Sequence, residues 1–119
     1  MATSTLVQAA LAANIFNETS VANAKIDVKA SSAIVYFIQV DNTANGAASY
    51  LKLYNTNTVT VGTTVPDDVI LVPASVTRVI AMPAGVTFGT GLSVACVTAG
   101  GTAGTTSPVS AVIVRIAYT

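Results

Sequence analysis

Short runs of Val, Thr, Ile and Tyr, separated at close intervals by Gly, Pro and Asn, constrain the fold of this chain more than any other feature. β-branched and aromatic residues favour strands, whereas Gly, Pro and Asn favour turns. The runs that predict strands are residues 25–29, 33–41, 49–54, 69–72, 75–82, 92–98 and 111–118, with a shorter Thr/Val stretch that ends at Thr64. No segment of helical period separates them, so we predict an all-β fold.

About eight such runs in 119 residues predict one antiparallel β-sandwich or jelly roll. Turns are expected at Asn45-Gly46, at Pro66-Asp67-Asp68 and at Pro83-Ala84-Gly85. We assign residues 25–119 to the sandwich and residues 1–24 to an N-terminal arm, an anchor or oligomerisation segment. Residues 6–16 fit a short helix or an extended strand equally well, because periodicity does not separate short apolar runs.

The surface of this fold must carry few charges. Only 8% of the residues are charged and 52% are hydrophobic, whereas about a quarter of the residues of a typical soluble domain are charged. Five basic and five acidic residues cancel, so no basic stripe is available for nucleic acid. No apolar run reaches the length of a transmembrane helix, so we expect no membrane span. The surface must therefore consist mostly of small and polar residues, or part of it must be covered by other subunits, and we expect both.

Alternation along single strands predicts where the surplus apolar residues lie. Residues 33–41 alternate so that both faces begin apolar, with Ile34, Tyr36, Ile38 and Val40 on one face and Val35 and Phe37 on the other. The last run places Val112, Val114 and Ile116 on one face and Ile113 on the other. A monomeric sandwich would have a more polar outer face, so these faces predict contacts with other subunits.

The run 49–54 predicts a second contact surface. Leu51 and Leu53 are expected to point inward, which turns Tyr50, Lys52 and Tyr54 outward as an aromatic and cationic row. Tyr is enriched at protein interfaces, although Tyr–Lys packing between strands also occurs on ordinary surfaces. We favour the interface.

Residue types that carry catalysis or bind metals are scarce. Without His, no Ser-His-Asp or Cys-His arrangement can form, and the single Cys96 in an apolar run predicts a buried, inert thiol. Asp67-Asp68 predicts turn chemistry better than a calcium site, which needs six or more oxygen ligands. We expect no enzymatic activity, no metal or cofactor, and no small-molecule substrate.

Several framework motifs between residues 40 and 118 carry a resemblance to a known family. They are ASYLKLY at 48–54, VGTTVP at 61–66, PAGVTF at 83–88, GLSVA at 91–95, and a Gly-Thr loop before Val112. In these motifs the chain resembles small virion proteins of tailed bacteriophages. The N-terminal forty residues depart from that pattern.

The resemblance implies a capsid decoration or cement protein, assembled in the bacterial host cytoplasm and located on the outside of the virion head. Its expected partners are the major capsid protein and further copies of itself, as a homodimer or a homotrimer, with no nucleic acid and no membrane. The residues expected at these interfaces are apolar or aromatic, except for one lysine. In a monomer their side chains would be exposed to solvent. They are Leu6, Val7, Leu11, Ile15, Phe16, Val35, Phe37, Tyr50, Lys52 and Tyr54.

The alternative is a fibre, spike or tail-associated module that binds a host receptor or glycan. Residues 42–47 and 99–107 would form its binding loops, because such sites lie on loops at the ends of a sandwich. Neither loop contains an aromatic side chain for stacking on a sugar. The decoration role is therefore the leading expectation.

Overall fold

The computed structural model describes residues 14–119, and within them it contains eight β-strands and no helix. The strands are β1 (Asn14–Val21), β2 (Ile26–Lys29), β3 (Ala33–Asp41), β4 (Ser49–Tyr54), β5 (Asp68–Val72), β6 (Thr77–Phe88), β7 (Leu92–Val97) and β8 (Val112–Tyr118). β3 and β4 begin and end at the predicted residues. No described helix is long and apolar enough to cross a membrane. The all-β prediction is confirmed.

The strands form two four-stranded antiparallel sheets. The first has the order β1-β8-β3-β6 and the second the order β2-β7-β4-β5. Every connection crosses from one sheet to the other, except the β4–β5 connection within the second sheet. Eight strands arranged in this way make a jelly roll, which confirms the predicted fold class.

The core lies between the two sheets, where alternate residues of each strand meet. β8 contributes Val112, Val114 and Ile116, as its alternation predicted, and β4 contributes Leu51 and Leu53. The other buried apolar residues of the cluster are Val21, Ala33, Val35, Ile38, Val40, Ile70, Val72, Phe88, Leu92, Val94, Cys96. Cys96 is fully buried, as expected, and burial raises the pKa of its thiol to about 12.

A β-bulge in β3 changes the alternation that the sequence predicted. β8 pairs Tyr118 with Val35 and the next residue, Ala117, with Phe37, so Tyr36 is an extra residue. Alternation therefore shifts by one position, and Val35 joins Ile38 on the core face. The prediction that Val35 points outward was wrong for this reason, whereas Phe37 does point outward.

The predicted turn at Pro83-Ala84-Gly85 is instead an irregularity within β6. Val86 is paired with Val35 and Ala81 with Phe37, so residues 82–85 project from the ladder beside Tyr36. Gly85 adopts a φ of 78°, which an L side chain rarely tolerates. The chain thus bends here without reversing. The Thr/Val stretch that ends at Thr64 lies in turns and not in a strand.

β1 lies within the segment that the sequence analysis assigned to an arm. From Asn14 to Glu18 it pairs residue by residue with β8, from Tyr118 to Val114. The sandwich therefore includes β1, which begins eleven residues before Lys25. Within residues 6–16, the described part is a strand, and residues 6–13 lie outside the described residues.

Candidate interaction surface

The two sheets present very different outer faces, and the second sheet covers its own. The β4–β5 loop (residues 55–67) and the β7–β8 loop (residues 98–111) fold over β4 and β7. Asn57 Nδ2 donates to Ser93 Oγ at 2.9 Å, and Gly100 lies against the ring of Tyr50. Every residue of β7 is buried in consequence.

Lys52 fixes the β7–β8 loop to this face. Its side chain is fully buried, and Nζ lies 2.7 Å from the Gly101 carbonyl oxygen and 3.1 Å from that of Gly104. A third carbonyl oxygen, of Thr102, lies at 3.5 Å. Burial lowers the pKa of Lys52 because the charged form loses its hydration. The carbonyl dipoles replace part of that hydration. The ammonium group therefore serves an internal contact.

This cover overturns the predicted row of Tyr50, Lys52 and Tyr54. All three side chains point away from the core, as predicted, but Lys52 is fully buried beneath the β7–β8 loop, Tyr54 is fully buried and Tyr50 is partly buried. Burial raises the pKa of Tyr54, whose hydroxyl has no hydrogen-bond partner among the described residues. The row cannot contact another subunit unless the loops move away.

Within residues 14–119, no loop covers the outer face of the first sheet, and an apolar row crosses this face. Cross-strand pairing aligns Ile15 of β1 with Ala117 of β8, Ala117 with Phe37 of β3, and Phe37 with Ala81 of β6. Directly paired residues of antiparallel strands point to the same face. Ile15 is 67% exposed. We call these four residues the outer apolar row.

The next row along the strands is mostly polar and carries one charge. It contains Asn17, Arg115, Gln39 and Val79, and Val79 is 55% exposed. Arg115 Nε donates to Asn17 Oδ1 at 3.4 Å. Asp41, paired with Ile113, follows on the same face, and hydrogen bonds from Thr43 lower its pKa. One cation and one anion thus leave the face close to neutral.

The other predicted interface residues fall in three places. Ile15 and Phe37 belong to the outer apolar row. Phe16 lies on the opposite side of β1, where it packs against the core. Leu6, Val7 and Leu11 lie outside the described residues. Ala117, Ala81 and Val79 were missed, because the pairing of strands that are distant in sequence brings them beside Phe37.

The predicted turn at Pro66-Asp67-Asp68 is the end of the β4–β5 loop, where both carboxylates accept main-chain hydrogen bonds, and Asp68 is already the first residue of β5. Asp67 Oδ2 accepts a hydrogen bond from the Asn55 amide at 2.7 Å, and Asp68 Oδ1 accepts one from Val69 at 2.8 Å. Among residues 14–119, no three His, Cys, Asp or Glu side chains come together as metal ligands would. The nearby cleft of about 240 Å³ is smaller than typical cofactor pockets of ~300–1,000 Å³.

The loops proposed for receptor binding are held by internal hydrogen bonds. Asn42 is fully buried, and its Nδ2 donates to the carbonyl oxygens of Ala47, Val72 and Pro73. Asn42 Oδ1 accepts hydrogen bonds from Asn45 Nδ2 and Ser49 Oγ, both at 2.9 Å. Buried networks of this kind set local structure, because every lost bond leaves a polar group unpaired.

Comparison of the chain with protein-family models, with curated proteins and with solved structures finds no match.

Proposed function

We propose that this protein is a non-enzymatic structural component of a tailed-phage virion, a decoration or cement protein that binds the outside of the head. The open outer face of the β1-β8-β3-β6 sheet is the observation that supports the proposal most. It combines the outer apolar row with a single cation and a single anion. Among residues 14–119, loops cover the opposite sheet but not this face, which is therefore the one we propose for a partner.

The proposed mechanism is burial of this face across the boundary between major capsid subunits. Apolar burial depends little on salt, whereas contacts between exposed charges weaken as salt rises. A ligand that binds the assembled shell and not its separated subunits stabilises the shell by mass action, by about 2.7 kcal/mol per site at a hundredfold excess over Kd. Jelly rolls occur in capsid proteins and in lectins alike, so the fold is compatible with this role but does not specify it.

The test is thermal melting of phage heads that were assembled without this protein. Purified protein is added back at increasing concentration, in low and in high salt. We expect the melting temperature to rise, to saturate with occupancy, and to change little with salt. An unchanged melting temperature at saturating occupancy would contradict the cement role.

A pair of variants assigns the effect to the proposed face. Phe37→Asp places a charge in the middle of the outer apolar row, and we expect it to abolish the rise in melting temperature. Val65→Asp is the matched control, because Val65 is 70% exposed on the β4–β5 loop, away from this face. Equal loss with both variants, or with neither, would argue against docking through the row.

A further inference from the structure

The four sheet edges differ in how they are protected against pairing with another strand. Native proteins shield edges with Pro, charged side chains and bulges. The edge strand β6 is protected by Pro83 and by its irregularity at residues 82–85. β5 has a charged residue, Asp68, at its start and Pro73 directly after its end. β2 is only four residues long and contains the charged Asp27. The straight part of β1, Asn14–Glu18, has no Pro and a single charge at its end. β1 is therefore the least protected edge.

Specific main-chain groups of β1 are free to pair. Ile34 and Thr119 exchange both main-chain hydrogen bonds, at 3.1 and 2.9 Å, so Thr119 faces β3. Because N–H and C=O groups alternate along a strand, Tyr118 and every second residue before it face β1. Their partners on β1 are Asn14, Phe16 and Glu18.

The intervening residues Ile15 and Asn17 must then direct their N–H and C=O groups to the outer edge of the sheet. No other strand within residues 14–119 pairs with that edge.

We propose that β1 pairs with β1 of a second copy, antiparallel and about a two-fold axis, to join the two β1-β8-β3-β6 sheets into one continuous sheet of eight strands. With Phe16 opposite its counterpart on the axis, Ile15 of each copy lies opposite Asn17 of the other. The N–H and C=O groups of Ile15 and Asn17 in each copy then all form hydrogen bonds with the other copy. The pairing does not depend on the proposed role in a virion.

Side chains favour the same register. Each Asn14 amide lies opposite Glu18 of the other copy, so the one charged position meets a hydrogen-bond donor and not a like charge. The hydrogen bond from Ser20 Oγ, at 2.8 Å, lowers the pKa of Glu18, which is the direction that favours its charged form. The two Phe16 side chains lie side by side on the core face. Self-complementarity of this kind is what a two-fold interface requires.

Sedimentation equilibrium of the full chain tests the pairing. We expect wild type to reach the mass of two 12.0 kDa chains. Asn17→Pro removes one edge N–H without touching the main-chain hydrogen bonds to β8, and we expect its dimer dissociation constant to rise at least tenfold. Asn17→Thr keeps the N–H and is the matched control. Circular dichroism verifies that both variants fold.

Charge variants at an exposed position test the register. Asn14→Glu places like charges opposite each other at both ends, so we expect dimerisation to weaken by about three- to tenfold. Asn14→Lys places opposite charges there, so we expect it to strengthen. The same direction of change for both variants would overturn this register.

Amide hydrogen exchange distinguishes a second copy at the β1 edge from residues 1–13 of the same chain. In the proposed dimer, the Ile15 and Asn17 amides become more protected as protein concentration rises. Protection that is independent of concentration in a monomer would mean that residues 1–13 cover the edge, and it would overturn the proposal. A trimer, or a monomer with unprotected amides, would also overturn it.

Discussion

The ammonium nitrogen of Lys52 lies 2.7 Å from the carbonyl oxygen of Gly101, beneath a loop that the chain folds over its own sheet. A buried cation is costly unless polar groups replace its hydration, and three carbonyl oxygens of the β7–β8 loop do so here. This contact holds the β7–β8 loop over the second sheet. Among residues 14–119, the outer apolar row of the first sheet has no such cover, and it is the face that we propose for a partner.

Replacing Lys52 with Met should loosen the β7–β8 loop. The carbonyl oxygens of Gly101 and Gly104 would lose their donor, so we expect the free energy of unfolding to fall by about 1 kcal/mol. This loss of stability is at the low end of the usual range of about 1–3 kcal/mol for an unpaired buried group, because Lys52→Met also removes the cost of burying the ammonium. Faster exchange of the Gly104 amide, which donates to Gly101 O, is the direct readout. An unchanged exchange rate would contradict this role; Lys29→Met, at a partly exposed lysine of β2, is the control.

Tyr54→Phe should stabilise the protein. The hydroxyl of Tyr54 is buried without a hydrogen-bond partner among residues 14–119, so its removal relieves a desolvation cost of about 1–3 kcal/mol. Tyr118→Phe is the matched comparison, because its hydroxyl donates to the Val28 carbonyl oxygen at 3.4 Å and its loss should destabilise slightly. Urea denaturation of both variants measures the difference. A less stable Tyr54→Phe would mean that the hydroxyl has a partner.

Gly85→Ala should destabilise the β6 irregularity. Gly85 has a positive φ, and an added Cβ would come within 2.5 Å of Ile34 Cγ2. The left-handed backbone alone costs about 1–2 kcal/mol for an L residue, and the contact adds to it. Gly89→Ala is the control, because a Cβ there meets nothing within 4 Å. Equal denaturation midpoints for the two variants would contradict a strained conformation at Gly85.

Asp27 should contribute to stability at neutral pH and lose that contribution in acid. The hydrogen bond from Lys25 Nζ, at 2.6 Å, lowers its pKa, and a bond from Ser93 adds to the effect. A carboxyl whose folded pKa lies below its unfolded value stabilises fully above the unfolded value, and this stabilisation is lost as the pH falls through the folded pKa. Below the ordinary value of 3.8, wild type should therefore lose more stability than Asp27→Asn. Parallel losses, measured by urea denaturation at each pH, would contradict this assignment.

Sequence patterns predicted the strands well where alternation was regular. The bounds of β3 and β4 follow from their β-branched runs, and the core residues of β8 follow from its alternation. The bulge at Tyr36 was not predictable in this way, because it arises from pairing with two strands that are distant in sequence. That single extra residue is why Val35 is buried.

The candidate site was predicted in part. Phe37 was identified from the alternation of its strand and Ile15 as an apolar residue of the N-terminal arm, but their alignment in one row depends on strand order, which the sequence does not specify. The burial of Lys52 and Tyr54 was missed for a related reason. The β7–β8 loop, which covers Lys52, consists mostly of small and polar residues, and nothing in its composition predicts that it packs against β4.

The number of copies in each virion tests the proposed function most directly. Quantitative mass spectrometry of purified phage, with the major capsid protein as the internal reference, measures it. A decoration protein that binds across capsid boundaries must be present in hundreds of copies. A dozen copies or fewer, or absence from the particle, would contradict the proposal.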